Sequence, residues 1–214
     1  MKFKITKHDK EASCRQAPEF AEIVRQTELS SFECCGDLFP ALVQSIVSQQ
    51  LAIKAADAIF RRVKALLGEI TVERLLAVGF DELRACGLSK RKVEYLCGIA
   101  EARISGAVNF ETLTEKSDAE IIAKLVKLKG VGVWTAEMLL IFALGRPDVL
   151  SFKDLGIRRG IMLLNHLDDL TEADFEIYRK RYSPYGTLAS LYLWRIKDSG
   201  LRIADLETTA TAGF

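Results

Sequence analysis

The most informative part of the sequence is Leu125–Leu140, which reads LVKLKGVGVWTAEMLL. Apolar residues with helical spacing lie at both ends of this stretch, whereas Gly130 and Gly132 flank the single apolar residue Val131 in the middle. Two glycines this close together allow a very tight turn, because glycine adopts backbone angles that other residues avoid. The stretch therefore predicts two helices joined by a short hairpin.

The predicted hairpin has the features of a phosphate-binding turn. The backbone N–H groups of such a turn and of the following helix N-terminus can together hold an anion. Lys127 and Lys129 add positive charge beside them. The glycines alone are explained equally well by an ordinary corner between two helices, with glycine ending the first one.

A second informative segment follows about twenty residues later, at Asp148–Gly160, and reads DVLSFKDLGIRRG. Within it, Asp154 directly precedes a new run of apolar residues with helical spacing. An aspartate in this position is most often only the cap of a helix, because its carboxylate accepts hydrogen bonds from the first N–H groups. Taken alone, Asp154 therefore predicts a helix start.

The composition excludes several classes of protein. The chain has 214 residues, of which 30 are Lys or Arg and 29 are Asp or Glu, so it is not a polycation. Five cysteines without a CxxC pair, together with two histidines, do not assemble a standard zinc site. The longest strongly apolar run, Met138–Leu144, is too short to span a membrane, and the N-terminus has no apolar stretch of the signal-peptide kind. We therefore expect a reduced, soluble, intracellular protein without a membrane partner.

Helical periodicity dominates the rest of the chain. No proline lies between Pro40 and Pro147, and Ser117–Glu120 and Thr171–Asp174 look like capped helix starts. The best strand-like segment is Lys2–Thr6, and Glu207–Phe214 is small and polar, which is typical of a frayed end. Helices are predicted near residues 16–27, 39–49, 52–67, 71–77, 80–86, 89–104, 117–127, 133–144, 154–164, 171–181 and 184–198.

The two informative segments together resemble the helix-hairpin-helix DNA glycosylase superfamily. Its signature is a hairpin of the form L-x-G-[VI]-G-x-x-T-A, followed by an acidic residue at the head of the next helix. Three further segments resemble the alkylated-base branch, the 3-methyladenine DNA glycosylase II type in a short form without an N-terminal sheet domain. They are IVSQQLA at 46–52, GLSKRKVEYL at 87–96 and SPYGTLASLYLW at 183–194.

This resemblance implies an all-α fold of two helical lobes with a DNA-binding cleft. A hairpin-bearing lobe would span about residues 38–145, and residues 1–37 with 146–214 would form the second lobe of the same domain. The implied partner is double-stranded DNA that contains a damaged base, bound by a monomer. No cofactor is implied, apart from a monovalent cation held by the backbone carbonyls of Val126, Leu128 and Val131.

The resemblance also implies a reaction, the hydrolytic excision of alkylated purines such as 3-methyladenine, which leaves an abasic site. Asp154 matches the catalytic aspartate, which stabilises the oxocarbenium-like sugar. Trp134 stands where the strand-cutting branch has a Schiff-base lysine, so the implied enzyme is monofunctional. Trp134, Met138 and Tyr185 would line the pocket for the flipped base.

The DNA contacts carried over from the family lie at the hairpin and at the end of one helix. Gln50 matches the residue that fills the space left by the flipped base. The remaining implied DNA-binding residues are Gln49, Lys129, Gly130, Val131, Gly132 and Thr135.

The sequence departs from the family pattern at two positions. Lys153–Asp154 stands where the family often has Asp-Asp, and Gly186 replaces a basic residue. Two alternatives stay open at this point. One is a non-catalytic hairpin module that only binds DNA, and the other is a glycosylase for deaminated bases such as hypoxanthine.

Overall fold

The structure is a computed structural model, and it describes residues 1–198 of the chain. Within these residues the chain is almost entirely helical, as the sequence predicts. Its elements in chain order are β1 (Lys2–Phe3), α1 (Lys7–Gln16), a 3-10 helix (Pro18–Phe20), α2 (Ala21–Gln26), β2 (Phe32–Glu33), α3 (Leu38–Ser48), α4 (Ile53–Leu67), α5 (Val72–Ala77), α6 (Phe80–Ala85), α7 (Lys90–Ile104), α8 (Phe110–Leu113), α9 (Asp118–Leu125), α10 (Val133–Phe142), α11 (Leu155–Leu164), α12 (Glu172–Tyr182) and α13 (Gly186–Asp198).

The chain divides into two compact units. The first, which we call the terminal unit, consists of Met1–Cys34 and the chain from Gly145 onward. The second, which we call the hairpin unit, is the continuous segment Cys35–Leu144. The hairpin unit contains α3 to α10, and the terminal unit contains the remaining elements.

The hairpin unit is built around apolar faces with helical spacing. On α3, the sequence places apolar residues with the spacing of one helix face, and all five are predicted to face the core and are buried: Phe39, Leu42, Val43, Ile46 and Val47. Removing such side chains from water is the main driving force for packing these helices together. The apolar spacing of this helix is therefore confirmed as its core-facing side.

Helix α9 begins where the sequence predicts. Ser117 accepts a hydrogen bond from the backbone N–H of Glu120, and the Glu120 carboxylate accepts one from the Ser117 N–H, which is a capping box. Ile121 and Leu125 are buried one turn apart on the inner face. The helix ends just before the turn that leads to α10.

The terminal unit depends on a close approach of α11 and α13. A Cβ atom added at Gly160 would lie 2.8 Å from the carbonyl oxygen of Leu193, so only glycine allows the two backbones to come this near. Tyr182 and Tyr192 pack with Phe20 in the core of this unit. The contact holds α13 against α11, the helix that carries Asp154 at its N-cap.

The N-terminal region differs from the predictions. The strand expected over Lys2–Thr6 covers only Lys2–Phe3, and it pairs antiparallel with β2 instead of standing alone. The expected helix over 16–27 is replaced by α1, the 3-10 helix and α2. Helix α1 buries only Ser13, so it has no apolar periodicity that could reveal it in the sequence. The single turn α8 was also missed.

Five glycines that lie between predicted helices have the backbone angles that a turn needs. Gly68, Gly87, Gly106, Gly130 and Gly145 all have positive φ angles. Among residues 1–198, no helix is long and apolar enough to cross a membrane. The segment that we expected to fray, Glu207–Phe214, lies outside the described residues.

Candidate functional site

Asp154 is the buried N-cap of α11, in the terminal unit. Its side chain is 8% exposed, and its Oδ1 atom accepts a hydrogen bond of 2.9 Å from the backbone N–H of Ile157. The same atom accepts a bond of 3.0 Å from Nε1 of Trp194, on α13. The positive end of the α11 dipole favours a negative charge here. The position therefore holds the carboxylate in one orientation and largely shields it from water.

Gly156 allows Trp194 to reach Asp154. A Cβ atom at position 156 would lie 2.9 Å from Cδ1 of Trp194 and 3.1 Å from Oδ1 of Asp154. A larger residue would therefore push the indole away from the carboxylate. The orientation of Asp154 thus depends on a neighbour two positions along the chain and on a tryptophan forty positions away.

Asp148 organises the turn that precedes α13. Its carboxylate accepts bonds from Arg179 at 2.9 Å, from the Ser183 hydroxyl at 2.6 Å and from the Gly186 N–H at 3.0 Å. Burial raises the pKa of Asp148, but these hydrogen bonds and the charge of Arg179 outweigh it and lower the pKa overall. The turn is therefore held by an ionised carboxylate.

The same contacts limit the space at Gly186, one of the two positions at which the sequence departs from the family pattern. A Cβ atom at this position would lie 2.6 Å from Oδ1 of Asp148 and 3.1 Å from the Val149 nitrogen. A larger residue at position 186 would therefore displace the Asp148 carboxylate from its present place.

The hairpin between α9 and α10 has the predicted tight geometry. Gly130 has a φ of +87°, and the Val131 N–H donates to the Leu128 carbonyl at 3.1 Å. A Cβ atom at Gly130 would lie 2.3 Å from the ring of Tyr95, on α7. Gly132 differs, because it has an ordinary φ of −95° and serves as the N-cap of α10. The backbone conformation therefore favours glycine at position 130 but not at position 132.

The first turn of α10 presents apolar side chains to solvent. Val133 and Trp134 are each 42% exposed, although α10 is otherwise one of the most apolar helices of the chain. Met138, one turn after Trp134, is half-buried. Thr135, which we expect to contact DNA, is 4% exposed, so its side chain packs inside the hairpin unit. Only its backbone remains for such a role.

The end of α3 lies against the hairpin. The side-chain amide of Gln49 donates to the Gly130 carbonyl at 2.9 Å, which joins two segments 81 residues apart. Gln50 is exposed and has a φ of +56°, which is uncommon for a residue other than glycine. The structure thus brings Gln49, Gln50 and the hairpin together in one region of the hairpin unit.

Tyr185 belongs to the terminal unit. It is half-buried against the core of that unit and follows the Ser183–Pro184 peptide, which is cis. It lines a groove of about 270 Å³ whose other walls include Phe3, Pro147 and Leu188. Asp154 and Tyr185 therefore lie in one unit, and Trp134, Met138 and the predicted DNA-binding residues lie in the other.

The side chains offer no metal site within the described part of the chain, where no three His, Cys, Asp or Glu residues cluster. The predicted cation site uses only backbone carbonyls. Of these, the Leu128 carbonyl accepts the Val131 N–H, and a carbonyl oxygen keeps a second lone pair for a further ligand. The turn is therefore compatible with a monovalent cation.

Two residues of this region were missed by the sequence analysis. Trp194 closes the SPYGTLASLYLW segment, so its place in a motif was the signal for a role, but nothing local identified Asp154 as its partner. Asp148 gave only a weak signal, a single charge in front of the apolar pair Val149–Leu150. Both act through contacts between distant parts of the chain.

Comparisons with known proteins agree with this geometry. A family model described as HhH-GPD superfamily base excision DNA repair protein matches residues 43–184. DNA-3-methyladenine glycosylase 1 of Schizosaccharomyces pombe is 40% identical over 162 residues, which are 73% of this chain and 71% of that protein.

Solved structures extend the match over most of the chain. The crystal structure of a DNA-3-methyladenine glycosidase from Bacillus halodurans has a TM-score of 0.81 and 34% identity, covering 97% of this chain and 99% of that one. A 3-methyladenine DNA glycosylase of S. pombe, in complex with abasic DNA, has a TM-score of 0.75 and 36% identity, covering 92% of this chain and 98% of that one. The chain therefore belongs to the HhH-GPD superfamily of base excision DNA repair proteins, in the branch of the DNA-3-methyladenine glycosylases.

Proposed function

We propose that this protein is a monofunctional DNA-3-methyladenine glycosylase, which flips an alkylated purine out of duplex DNA and hydrolyses its N-glycosidic bond. The observation that carries the proposal is the buried carboxylate of Asp154, held by the N-terminus of α11 and by Trp194. It stands at the motif position of the family's catalytic aspartate. The product is an abasic site, and the DNA strand stays intact.

Asp154 acts on the sugar. As the bond between C1′ and the base breaks, its electron pair leaves with the base, and positive charge develops on the sugar. A fixed, desolvated carboxylate stabilises that charge more strongly than water does. Water then adds to C1′, and the carboxylate accepts the proton that the water loses. An alkylated purine is already cationic, so it leaves as a neutral base without a strong general acid.

Trp134 acts on the base. Its indole is 42% exposed at the start of α10, so its ring is accessible for stacking. A cationic base over an indole face is stabilised by about 1–2 kcal/mol, which favours alkylated over neutral purines. An indole cannot form a Schiff base, so the reaction lacks the strand-cutting step of the lysine-bearing branch.

The hairpin unit supplies the contacts to DNA. The backbone of Gly130–Gly132 and the first N–H groups of α10 bind a phosphate, with the charge of Lys129 beside them. Gln50 fills the space left by the flipped base, and Gln49 supports it. The substrate is double-stranded DNA bound by a monomer, which places the protein inside the cell with the genome.

The hairpin carbonyls of Val126, Leu128 and Val131 would hold a monovalent cation. Such an ion would stiffen the turn and would supply no chemistry to the bond cleavage. The reaction itself requires no cofactor.

The direct test is base release from methylated duplex DNA. The purified protein is incubated with the duplex, and free bases and strand breaks are measured before and after alkali. We expect free methylated purine, no strand breaks before alkali, and breaks at the same sites after it. Duplexes with hypoxanthine serve as the comparison substrate.

Other outcomes lead to different conclusions. Strand breaks that appear before alkali would contradict the monofunctional assignment. Faster release of hypoxanthine than of methylated purine would favour a deaminated-base enzyme. DNA binding without any base release would contradict the enzyme and favour a hairpin module that only binds DNA.

A further inference from the structure

Lys92, on α7, has an ammonium group that contacts the end of α3 and has no role in the reaction described above. Lys92 is in the first turn of α7, where the positive end of the helix dipole disfavours a cation. Its Nζ atom donates to the carbonyls of Val47 at 2.7 Å and of Gln49 at 2.8 Å, at the C-terminal end of α3. Carbonyls at that end of a helix lack partners inside the helix and favour a positive charge. Lys92 therefore stabilises the end of α3 at some cost to its own helix.

The end of α3 is fixed from a second side by the hairpin. The amide of Gln49 donates to the Gly130 carbonyl, and Gly130 in turn packs against the ring of Tyr95. Tyr95 follows Lys92 by one turn on α7. Lys92, Gln49, Gly130 and Tyr95 thus join the end of α3, the start of α7 and the hairpin into one cluster, which we call the α3 clamp.

The α3 clamp holds a strained residue. Gln50 follows directly and has a φ of +56°, a left-handed conformation that is sterically unfavourable for a residue with a Cβ atom. Such strain persists only where the surroundings fix the backbone, and it concentrates at functional sites. The residues after Gln50 are unusually open, since Leu51 is 39% exposed and Ile53 is 80% exposed. The protein thus fixes the backbone before Gln50 and leaves its side chain and the following ones exposed.

We propose that Lys92 is a positioning residue for base flipping: it holds the end of α3 so that Gln50 and the hairpin meet the DNA as one rigid surface. The proposal rests on the proposed function, in which Gln50 fills the space vacated by the base. A side chain that must enter the duplex is effective only when its backbone is already in place, because otherwise ordering the loop costs free energy at the moment of flipping. Without the ammonium group, the end of α3 loses two hydrogen bonds, and Gln50 can relax out of its left-handed conformation.

The experiment compares Lys92→Met with Lys90→Met. Methionine keeps most of the unbranched stem of lysine and removes only the ammonium group. Lys90 lies in the same helical turn, is 71% exposed and pairs with Glu94, so Lys90→Met removes the same charge without touching α3. Single-turnover excision of a methylated purine is measured in two duplexes that are identical except for the nucleotide opposite the lesion. One places the normal pyrimidine opposite the lesion, and the other an abasic-site analogue.

An unpaired base costs less to flip than a paired one, so the two duplexes separate flipping from bond cleavage. For Lys92→Met we expect excision of the paired lesion to fall at least about tenfold, and that of the unpaired lesion less than about threefold. Lys92→Arg, which keeps the charge and the donors, restores most of the loss, and Lys90→Met behaves like the wild type on both duplexes.

Gln49→Ala provides a second variant in case Lys92→Met folds poorly. It removes only the amide link to Gly130 and should show the same preference for the unpaired lesion. Because both residues act on the same loop, the double variant should lose less than the product of the two single effects.

Three results would overturn the proposal. Equal losses on both duplexes, together with a lower melting temperature, would mean that Lys92 supports only the fold. Unchanged excision in Lys92→Met would mean that it has no role in the reaction. If the wild type releases no methylated purine from either duplex, the proposed function itself is contradicted. If the wild type is active and Lys92→Met is unaffected, only the role of Lys92 is contradicted.

Discussion

At the residue scale, the main observation is that one carboxylate serves two purposes. Asp154 caps α11 through Ile157, as its place in the sequence predicts, and the same oxygen accepts the indole N–H of Trp194. The cap alone is the commoner explanation of such an aspartate. The indole contact adds a restraint on the orientation of the carboxylate that capping does not need, and this is why we assign Asp154 to the reaction.

Trp194→Phe tests this restraint. Phenylalanine keeps an aromatic ring against Gly156 but removes the donor to Asp154. We expect single-turnover excision to fall roughly tenfold, the equivalent of about 1.4 kcal/mol, with unchanged affinity for abasic duplex DNA. The matched control is Tyr192→Phe on the same helix, because the Tyr192 hydroxyl has no hydrogen-bond partner among the described residues. Equal effects of the two variants would show that the indole N–H is irrelevant to the rate.

Gly130→Ala tests the hairpin geometry. An alanine here would have to keep a φ of +87° and would contact the Tyr95 ring at 2.3 Å. We expect the free energy of unfolding to fall by more than about 1 kcal/mol, with weaker DNA binding. Gly98→Ala, inside α7 and with open space around it, should instead raise stability by about 0.5–1 kcal/mol. Urea unfolding of both variants measures the difference, and a Gly130→Ala variant as stable as the wild type would contradict the described turn.

At the element scale, longer helices with an apolar face were predictable, whereas α1 and the single turn α8 were not. Helix α3 follows the apolar spacing, and its five predicted positions are buried. Helix α1 buries only Ser13 and depends on its Thr6–Asp9 capping box, so hydrophobic periodicity gave no signal. Turns were predictable where glycine provides a positive φ. The turn before α13 was not, because Asp148 and Arg179 hold it from two separate parts of the chain.

The Asp148 turn should make stability depend on pH in acid. The pKa of Asp148 is lower in the folded chain than in the unfolded chain, where it is about 3.9. Its contribution is therefore fully present above that value and is lost as the pH falls through the folded pKa. We expect Asp148→Asn to melt at a lower temperature than the wild type at pH 6, with a difference that shrinks below about pH 4. Melting temperatures of both proteins across this pH range test the prediction. A difference in melting temperature that does not depend on pH would contradict the ionised state of Asp148.

At the scale of the whole molecule, positive and negative charges nearly cancel, so DNA binding depends on individual basic side chains near the DNA. The formal net charge is only +1, so general attraction to DNA is weak and phosphate contacts must come from placed residues. We expect Lys129→Ala to weaken binding equally on different DNA sequences and to reduce the salt slope of log K by about one. Titrations at several salt concentrations measure the slope, and an unchanged slope would mean that Lys129 contacts no phosphate.

Across the whole molecule, some features of the site were predictable from the sequence and others were not. The hairpin and the start of α11 were predictable from their own residues, whereas the roles assigned to them come from the resemblance of the two segments to the family. The contacts of Gln49 with Gly130 and of Trp194 with Asp154 join segments 81 and 40 residues apart. Hydrophobic periodicity describes residues within one helix or strand, so it cannot predict contacts between distant segments. The burial of the Thr135 side chain is a further case, since only packing reveals that it faces the core.

The most direct test of the account is the excision rate of Asp154→Asn beside that of the wild type. Asparagine still caps a helix and can still accept the Trp194 bond through its side-chain oxygen, so the fold should be kept and only the charge removed. On methylated duplex DNA we predict a loss of at least about a hundredfold in single-turnover base release, with affinity for abasic duplex DNA within about twofold of the wild type. Base release by Asp154→Asn at the wild-type rate would contradict the central claim that this carboxylate stabilises the sugar as the base departs.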